Sequence, residues 1–298
     1  MSTTEVNEPG SRTPASLPLS ITGGRVPTTS ATVYEPKGVR LVGRTDQLAV
    51  EEPLEIRLAG PGGPSRLAIT MRTPGHDFEL VAGLLLSEGV IDGRDQVRQI
   101  AYCLDEDLTA EQRYNVVTAE LRGEPGRASI ERLVMTSSAC GVCGSASIEA
   151  VHLAGHPELS KGPVIPLEML STFPALLRSG QRAFSSTGGL HGIALIAPDG
   201  EVLCLREDVG RHNAVDKVIG WSMLNGKLPL SDMTLMASGR ISFEIVQKAL
   251  RAGIPIVAAV SAATSLAVEL AEDSGMTLVG FLRGSSCAVY AGRQRIAA

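Results

Sequence analysis

At 298 residues and 44% hydrophobic content, the chain has the make-up of a packed globular protein with one large domain or two ordinary ones. A formal net charge of -5 argues against a general binder of nucleic acid or acidic membranes, because release of counterions from phosphates needs a surplus of Lys and Arg, so any anion must be held locally. The 5 cysteines include only one close pair and suggest no disulfide framework, and no stretch approaches the roughly 20 apolar residues that span a bilayer; the chain reads as cytoplasmic, in a reducing compartment.

Residues 1–33 are rich in Ser, Thr, Pro and Gly, lack periodic apolar content, and read as a disordered tail. From Tyr34 the pattern changes. Leu54-Glu55-Ile56-Arg57-Leu58 and Leu67-Ala68-Ile69-Thr70-Met71 alternate like half-buried strands around Gly60-Pro61-Gly62-Gly63-Pro64, which predicts a hairpin with a long loop. Leu80, Val81, Leu84 and Leu85 recur at helical spacing, and Gly89 stands where that helix would stop. Polar, strand-like segments continue to about Met135. This divides the chain into a smaller α+β N-terminal domain, 34–133, and a C-terminal α/β domain, 134–298.

Cys140-Gly141-Val142-Cys143 follows the apolar run Leu133-Val134-Met135 and precedes small residues suited to a turn entering a helix. A thiol at a helix start has a lowered pKa, and the thiolate is the species that attacks a persulfide donor. Glycines on either side of Cys143 let a bulky partner approach. A structural zinc site usually needs two such pairs, whereas Cys103, Cys204 and Cys287 are isolated. The flanks are not the clear strand and long helix of a thioredoxin-like redox motif. A zinc deaminase places His-x-Glu before its cysteines, and here His156-Pro157-Glu158 comes after them. Sulfur transfer is the best single reading of the pair, with a dithiol oxidoreductase or two buried cysteines as its competitors.

Thr187-Gly188-Gly189-Leu190-His191 allows close backbone approach before a strand, with His191 as a site residue or a strand-edge histidine. Further on, Glu207 to Lys217 packs acid, base and imidazole into one turn-to-helix junction. Asn213 and Asp216 there read as an N-cap with its N3 partner, and Asp208, Arg211, His212 and Lys217 as a site wall.

The last third has βαβαβ order. Strands are expected at Thr234 to Ala237, Ile256 to Val260 and Thr277 to Phe281. The first intervening helix carries Ile241, Ile245, Val246, Ala249 and Leu250 on one face and ends at Gly253; the second carries Leu266, Leu270 and Ala271 and ends at Gly275. Ligands of such sheets sit beyond the carboxyl ends of the parallel strands. Those ends are Ser238-Gly239-Arg240, Ser261 to Thr264, and Arg283-Gly284-Ser285-Ser286. Small hydroxyl residues, glycines and two arginines gather there, with helix N-termini near Ser242 and Ser265, which suits a phosphate-type anion.

At these residues the sequence resembles the formate dehydrogenase accessory sulfurtransferase family, FdhD. The matching stretches are Glu51-Glu52-Pro53-Leu54, Thr73-Pro74-Gly75, Ser87-Glu88-Gly89, the Cys140 to Gly144 turn, Thr187 to His191, Asp208 to Lys217, Ser238-Gly239-Arg240 and Gly280-Phe281-Leu282-Arg283. They run in order across nearly everything after residue 40. The resemblance implies a sulfurtransferase that takes sulfur from a cysteine desulfurase as a persulfide on Cys140, with Cys143 assisting. It implies delivery to the molybdenum bis(molybdopterin guanine dinucleotide) cofactor before that cofactor enters the formate dehydrogenase apoprotein. The cofactor is bound as substrate, with no permanent metal. Phe281, Leu282, Arg283, Gly284, Ser285 and Ser286 match the stretch assigned to cofactor binding, and Ser238, Gly239, Arg240, His191 and His212 are expected beside them. The resemblance also implies a cytidine-deaminase-like three-layer C-terminal domain and a homodimer. A non-catalytic cofactor-binding chaperone stays open as the competing class.

Overall fold

The computed structural model describes residues 26–60, 63–103, 113–123 and 159–297. Cys140, Cys143 and the expected domain boundary at 133–134 lie outside the described residues.

The first strand starts earlier than composition suggested. β1 (Thr28–Lys37) pairs antiparallel with β2 (Arg40–Ala49), so residues 28–33 are strand rather than tail. The β-branched Thr28, Thr29, Thr32 and Val33 favour a pleated backbone and find partners at Ala49, Leu48, Thr45 and Arg44. β3 (Glu52–Gly60) and β4 (Gly63–Arg72) form the expected hairpin. Leu54, Ile56 and Leu58 bury one face of β3, as their period of two requires. β5 (Val97–Tyr102) and β6 (Val116–Leu121) complete a four-stranded sheet in the order β4-β3-β6-β5. The helix α1 (Asp77–Ser87) precedes Gly89, which has a left-handed φ of 71°.

Beyond residue 158 come β7 (Ile165–Pro166), α2 (Leu167–Leu170), α3 (Phe173–Gly180) and α4 (Arg182–Thr187). Then come β8 (His191–Ile196), β9 (Val202–Asp208), α5 (Arg211–Leu224), β10 (Thr234–Ala237), α6 (Phe243–Arg251), β11 (Ile256–Ala259), α7 (Ser265–Asp273), β12 (Thr277–Arg283) and β13 (Ser286–Ala291). The six strands order as β13-β12-β11-β10-β8-β9. β10, β11 and β12 are parallel, as the βαβαβ pattern predicts, whereas β8 runs antiparallel to β10. The chain closes with β14 (Ile296–Ala297), which pairs with β7.

Alternate residues of the six-stranded sheet enter two different cores. Leu235, Ala237, Val257 and Ala259 face α1, α5, α6 and α7, while Met236, Ile256 and Ala258 face Phe173 and Leu177 of α3. The result is three layers, helix on sheet on helix. The first core also takes in Leu54, Ile56 and Val117 of the four-stranded sheet, so hydrophobic packing is continuous between the two sheets.

The join is the crossing of α1 and α5. A Cβ on Gly83 would lie 1.9 Å from the Asp216 carbonyl oxygen, and one on Gly220 would lie 1.8 Å from that of Glu79. The helices therefore touch backbone to backbone, which only glycine permits. Two face assignments change. Ile241 lies ahead of α6, in a bridge to Ala263. On α7 the buried face is Ala267 and Ala271, and Leu266 is exposed, because small residues are what a closely docked helix can bury. Among the described residues no helix is long and apolar enough to cross a membrane.

Candidate functional site

Because β8 is antiparallel, its first residue, His191, lies at the same sheet edge as the ends of β10, β11 and β12, opposite Asp208 at the end of β9. Hydrogen bonds fasten the loops along that edge. Gly192 N donates to Ser238 Oγ at 2.9 Å, and Ser238 N donates to the Gly192 carbonyl at 3.0 Å. Ile241 N reaches the Ala262 carbonyl and Thr264 N the Ile241 carbonyl, each at 3.0 Å. Phe281 N reaches the Ser261 carbonyl at 3.0 Å, and Arg283 Nε the Val260 carbonyl at 3.3 Å. The three loops thus form one continuous rim, with Arg240, Arg283, Gly284, Ser285 and Ser286 exposed on it.

At the end of β12 a bulge between Gly280 and Arg283 interrupts the pairing with β13. Phe281 there has φ 50°, a conformation rare for a non-glycine residue, and the residue is 43% exposed. Leu282 points the other way, fully buried in the second core, so it can offer a ligand only its backbone. A strained, exposed aromatic beside an arginine makes a platform suited to a planar ring.

The Asp208 to Lys217 segment divides differently from its reading in sequence. Asp208 Oδ1 accepts from Gly210 N at 2.8 Å and from Asn213 Nδ2 at 3.2 Å. Its Oδ2 accepts from Thr73 N at 3.1 Å and pairs with Lys217 Nζ at 2.6 Å. Lys217 also donates to the Thr73 carbonyl at 2.9 Å, and Val209 N donates to Thr73 Oγ1 at 3.2 Å. Asp208 and Lys217 are buried, so they form an internal clamp joining β4 to α5, not a site wall. Asn213 is not an N-cap. It sits inside the first turn, where Nδ2 donates to the Met71 carbonyl at 2.8 Å, because Asp208 already holds the amide ahead of the helix. Asp216 is no N3 partner either, since it is buried between Lys248 Nζ, 2.9 Å from each oxygen, and Ser87 Oγ at 2.8 Å. Burial pushes its carboxyl up to about 6 against the pull of Lys248.

Of this segment, His212 reaches the loop after β10. His212 Nε2 lies 3.0 Å from Ser242 Oγ and 3.6 Å from Glu244 Oε2. Burial, then the charge of Arg211, takes His212 down to about 4, with Glu244 opposing. Burial and Arg211 also hold His191 below the usual range, against Asp208. Both imidazoles are therefore neutral at pH 7. A Cβ on Gly239 would stand 3.0 Å from His191 Nδ1, so glycine is what lets the ring lie against the loop. Arg211 Nε is buried and has no hydrogen-bond partner among the described residues. The sequence reading had placed Arg211 and His212 in a site wall and the helix start near Ser242 at the anion-binding edge. Cys204 is no candidate nucleophile, because burial pushes its thiol up to about 12.

Comparison with known proteins matches residues 49–297 to the model of the FdhD/NarQ family. The chain belongs to that family. A relative from Streptomyces avermitilis, named sulfur carrier protein FdhD, is 52% identical over 260 residues, which cover 85% of this chain and 90% of the relative. Proteins of the same name from Mycobacterium tuberculosis and Saccharolobus solfataricus are 48% and 44% identical, covering 86% and 85% of this chain and 94% and 91% of theirs. A solved structure described as a formate dehydrogenase accessory protein from Desulfotalea psychrophila superposes with a TM-score of 0.70 at 24% identity, over 91% of this chain and 99% of that one. It shares the fold. The motifs through which the sequence resembled FdhD all fall inside the family match.

Proposed function

We propose that this protein is a cytoplasmic sulfur carrier. In this reading it takes sulfur from a cysteine desulfurase as a persulfide on Cys140 and passes it to a molybdenum bis(molybdopterin guanine dinucleotide) cofactor destined for formate dehydrogenase. The observation that carries the reading is the 52% identity, over most of both chains, to a protein named a sulfur carrier. In loading, the Cys140 thiolate attacks the outer sulfur of the donor persulfide, a new S–S bond forms, and the donor cysteine leaves as thiolate. Release as hydrosulfide needs two electrons, which Cys143 supplies by attacking Cys140 Sγ and closing a Cys140–Cys143 disulfide.

The rim supports the cofactor half of the reading. Exposed Arg240 and Arg283, the hydroxyls of Ser285 and Ser286 and the Phe281 platform suit a nucleotide, with phosphates on the cations and the base on the ring. The strand order β9-β8-β10-β11-β12, with β8 reversed against β10, supports a cytidine-deaminase-like C-terminal domain, and the family resemblance supports a homodimer. Incubation with a desulfurase and cysteine, followed by mass spectrometry, should add one sulfur to the peptide containing Cys140. Cys140→Ala should fail to restore formate dehydrogenase activity in cells lacking their own carrier; restored activity would sink the proposal.

A further inference from the structure

We infer that the β1-β2 ribbon is an arm that docks the apoprotein receiving the cofactor. Tyr34, Pro36, Val39 and Leu41 supply its apolar contact, and Lys37 and Arg40 meet carboxylates of that protein. The inference deepens the proposed function, since it rests on the reading that a cofactor leaves the rim for formate dehydrogenase.

The first observation is an open apolar face. Residues opposite one another in an antiparallel pair share a face, as do residues two apart along one strand. The pairings Tyr34 with Gly43 and Pro36 with Leu41 therefore set Tyr34, Pro36 and Leu41 side by side near the turn. A Cβ on Gly43 would stand 3.4 Å from Tyr34 Cε1, so the ring lies across the ribbon where glycine leaves it room. Tyr34 is 68% and Leu41 69% exposed, and Val39 in the turn is fully open. An aromatic and branched side chains clustered in the open are what protein interfaces bury at their centre.

The second observation is charge. Lys37 and Arg40 stand directly opposite each other on the other face, both exposed, and like charges in that register repel. The two strands carry only two carboxylates, and Arg44 holds both: its Nε pairs with Glu35 at 2.5 Å and its Nη1 with Asp46 at 2.9 Å. Neither is left for the cation pair. Two cations on a chain of net charge -5 are too few for a nucleic-acid backbone, but they suit the carboxylates of a protein surface. A partner that meets both faces has to take the tip into a cleft, apolar on one wall and acidic on the other.

The third observation is where the arm is rooted. β2 runs beside α4, and Val50 N donates to the Pro27 carbonyl at 2.8 Å to close the base. A Cβ on Gly189 would lie 3.4 Å from Ala49 Cβ, so the root abuts the chain two residues before His191 at the rim. From there a strand of 10 residues reaches ~30 Å, which holds a protein on the tip beside the rim. Of the two protein partners in the proposed reaction, the receiver has to approach the rim itself, whereas the desulfurase has to reach Cys140. The family match begins at residue 49, where β2 ends, so the arm stands ahead of the shared scaffold and suits the choice of acceptor rather than the chemistry.

Biolayer interferometry of the full chain against formate dehydrogenase apoprotein free of cofactor tests the inference. Wild type should bind, with an association rate that falls as salt rises. Lys37→Glu with Arg40→Glu should lower that rate on the order of tenfold and remove its salt dependence, while Arg40→Lys should bind like wild type. Tyr34→Ser with Leu41→Ser should speed dissociation on the order of tenfold. Both double variants should melt like wild type and still take up sulfur on the Cys140 peptide. Equal binding by wild type and the double variants, or no binding by wild type, overturns the inference. Loss of binding matched by a fall in melting temperature overturns it too, since the residues would then be structural. So does a sedimentation dimer, or adsorption to anionic phospholipid vesicles, that the double variants lose, because the arm would then belong to a second copy or to a membrane. The sulfur reading fails separately, if Cys140 of wild type takes up no sulfur while the apoprotein still binds.

Discussion

Gly220→Ala puts the junction of the two sheets under direct strain. An added Cβ would lie 1.8 Å from the Glu79 carbonyl oxygen and 2.7 Å from Gly83 N, both backbone atoms that no rotamer change can move. Relief to ordinary contact requires α1 and α5 to part by about 1.5 Å, enough to forfeit most of the dispersion well across the interface. That interface holds Leu80, Val81, Val215, Val218 and Ile219, all fully buried. On an unobstructed helix the same substitution would gain up to ~1 kcal/mol from helix propensity. Here overpacking plus the lost contacts should reverse the sign and give a net loss of roughly 3 kcal/mol. Urea unfolding followed by circular dichroism reads this as a lower midpoint at unchanged slope. Gly83→Ala should behave alike, and the double variant should lose less than the sum, since helices already parted have room for a second methyl. A Gly220→Ala protein as stable as wild type would show that the helices do not meet there.

Two further substitutions probe the polar anchor of α5 and the site beside it. Lys217→Met strands the buried Asp208 carboxylate and should cost about 3–5 kcal/mol, while Asp208→Asn added to it should recover part; a Lys217→Met protein with the wild-type melting temperature would refute the clamp. His212 is held down to about 4 in the fold against an ordinary 6.5, so the unfolded chain binds more protons between those values and stability falls on acidification through that window. For this partly exposed ring the effect should be about 1–2 kcal/mol, so between pH 7 and pH 5 wild type should lose more stability than His212→Asn; equal losses would refute the assignment.

The β10-α6-β11-α7-β12 run was legible because short, wholly apolar strands alternate with helices that stop at Gly253 and Gly275. The rim followed from it, since loops after parallel strands share one edge. The reversal of β8 was not legible. It depends on which neighbour a strand chooses, and Ile193, Ala194 and Leu195 are buried whichever way they run. The start of α5 was misplaced for a related reason. Asn213 has the chemistry of a cap, but Asp208, which lies before the helix in sequence, already holds Gly210 N, and Thr73 from β4 completes its shell. Long-range hydrogen bonds of that kind leave no trace in local spacing. Leu266 illustrates the same limit: periodicity ranks it as core by size, yet it stays exposed while Ala267 and Ala271 of the same helix are buried.

The Asp208 clamp has a consequence for motion. Because one carboxylate holds the β4 end through Thr73 and the first turn of α5 through Gly210, neither sheet can breathe at that seam without loosening the other. Breaking the clamp, as in Lys217→Met, would thus speed amide hydrogen exchange in the N-terminal hairpin, far from the substituted residue.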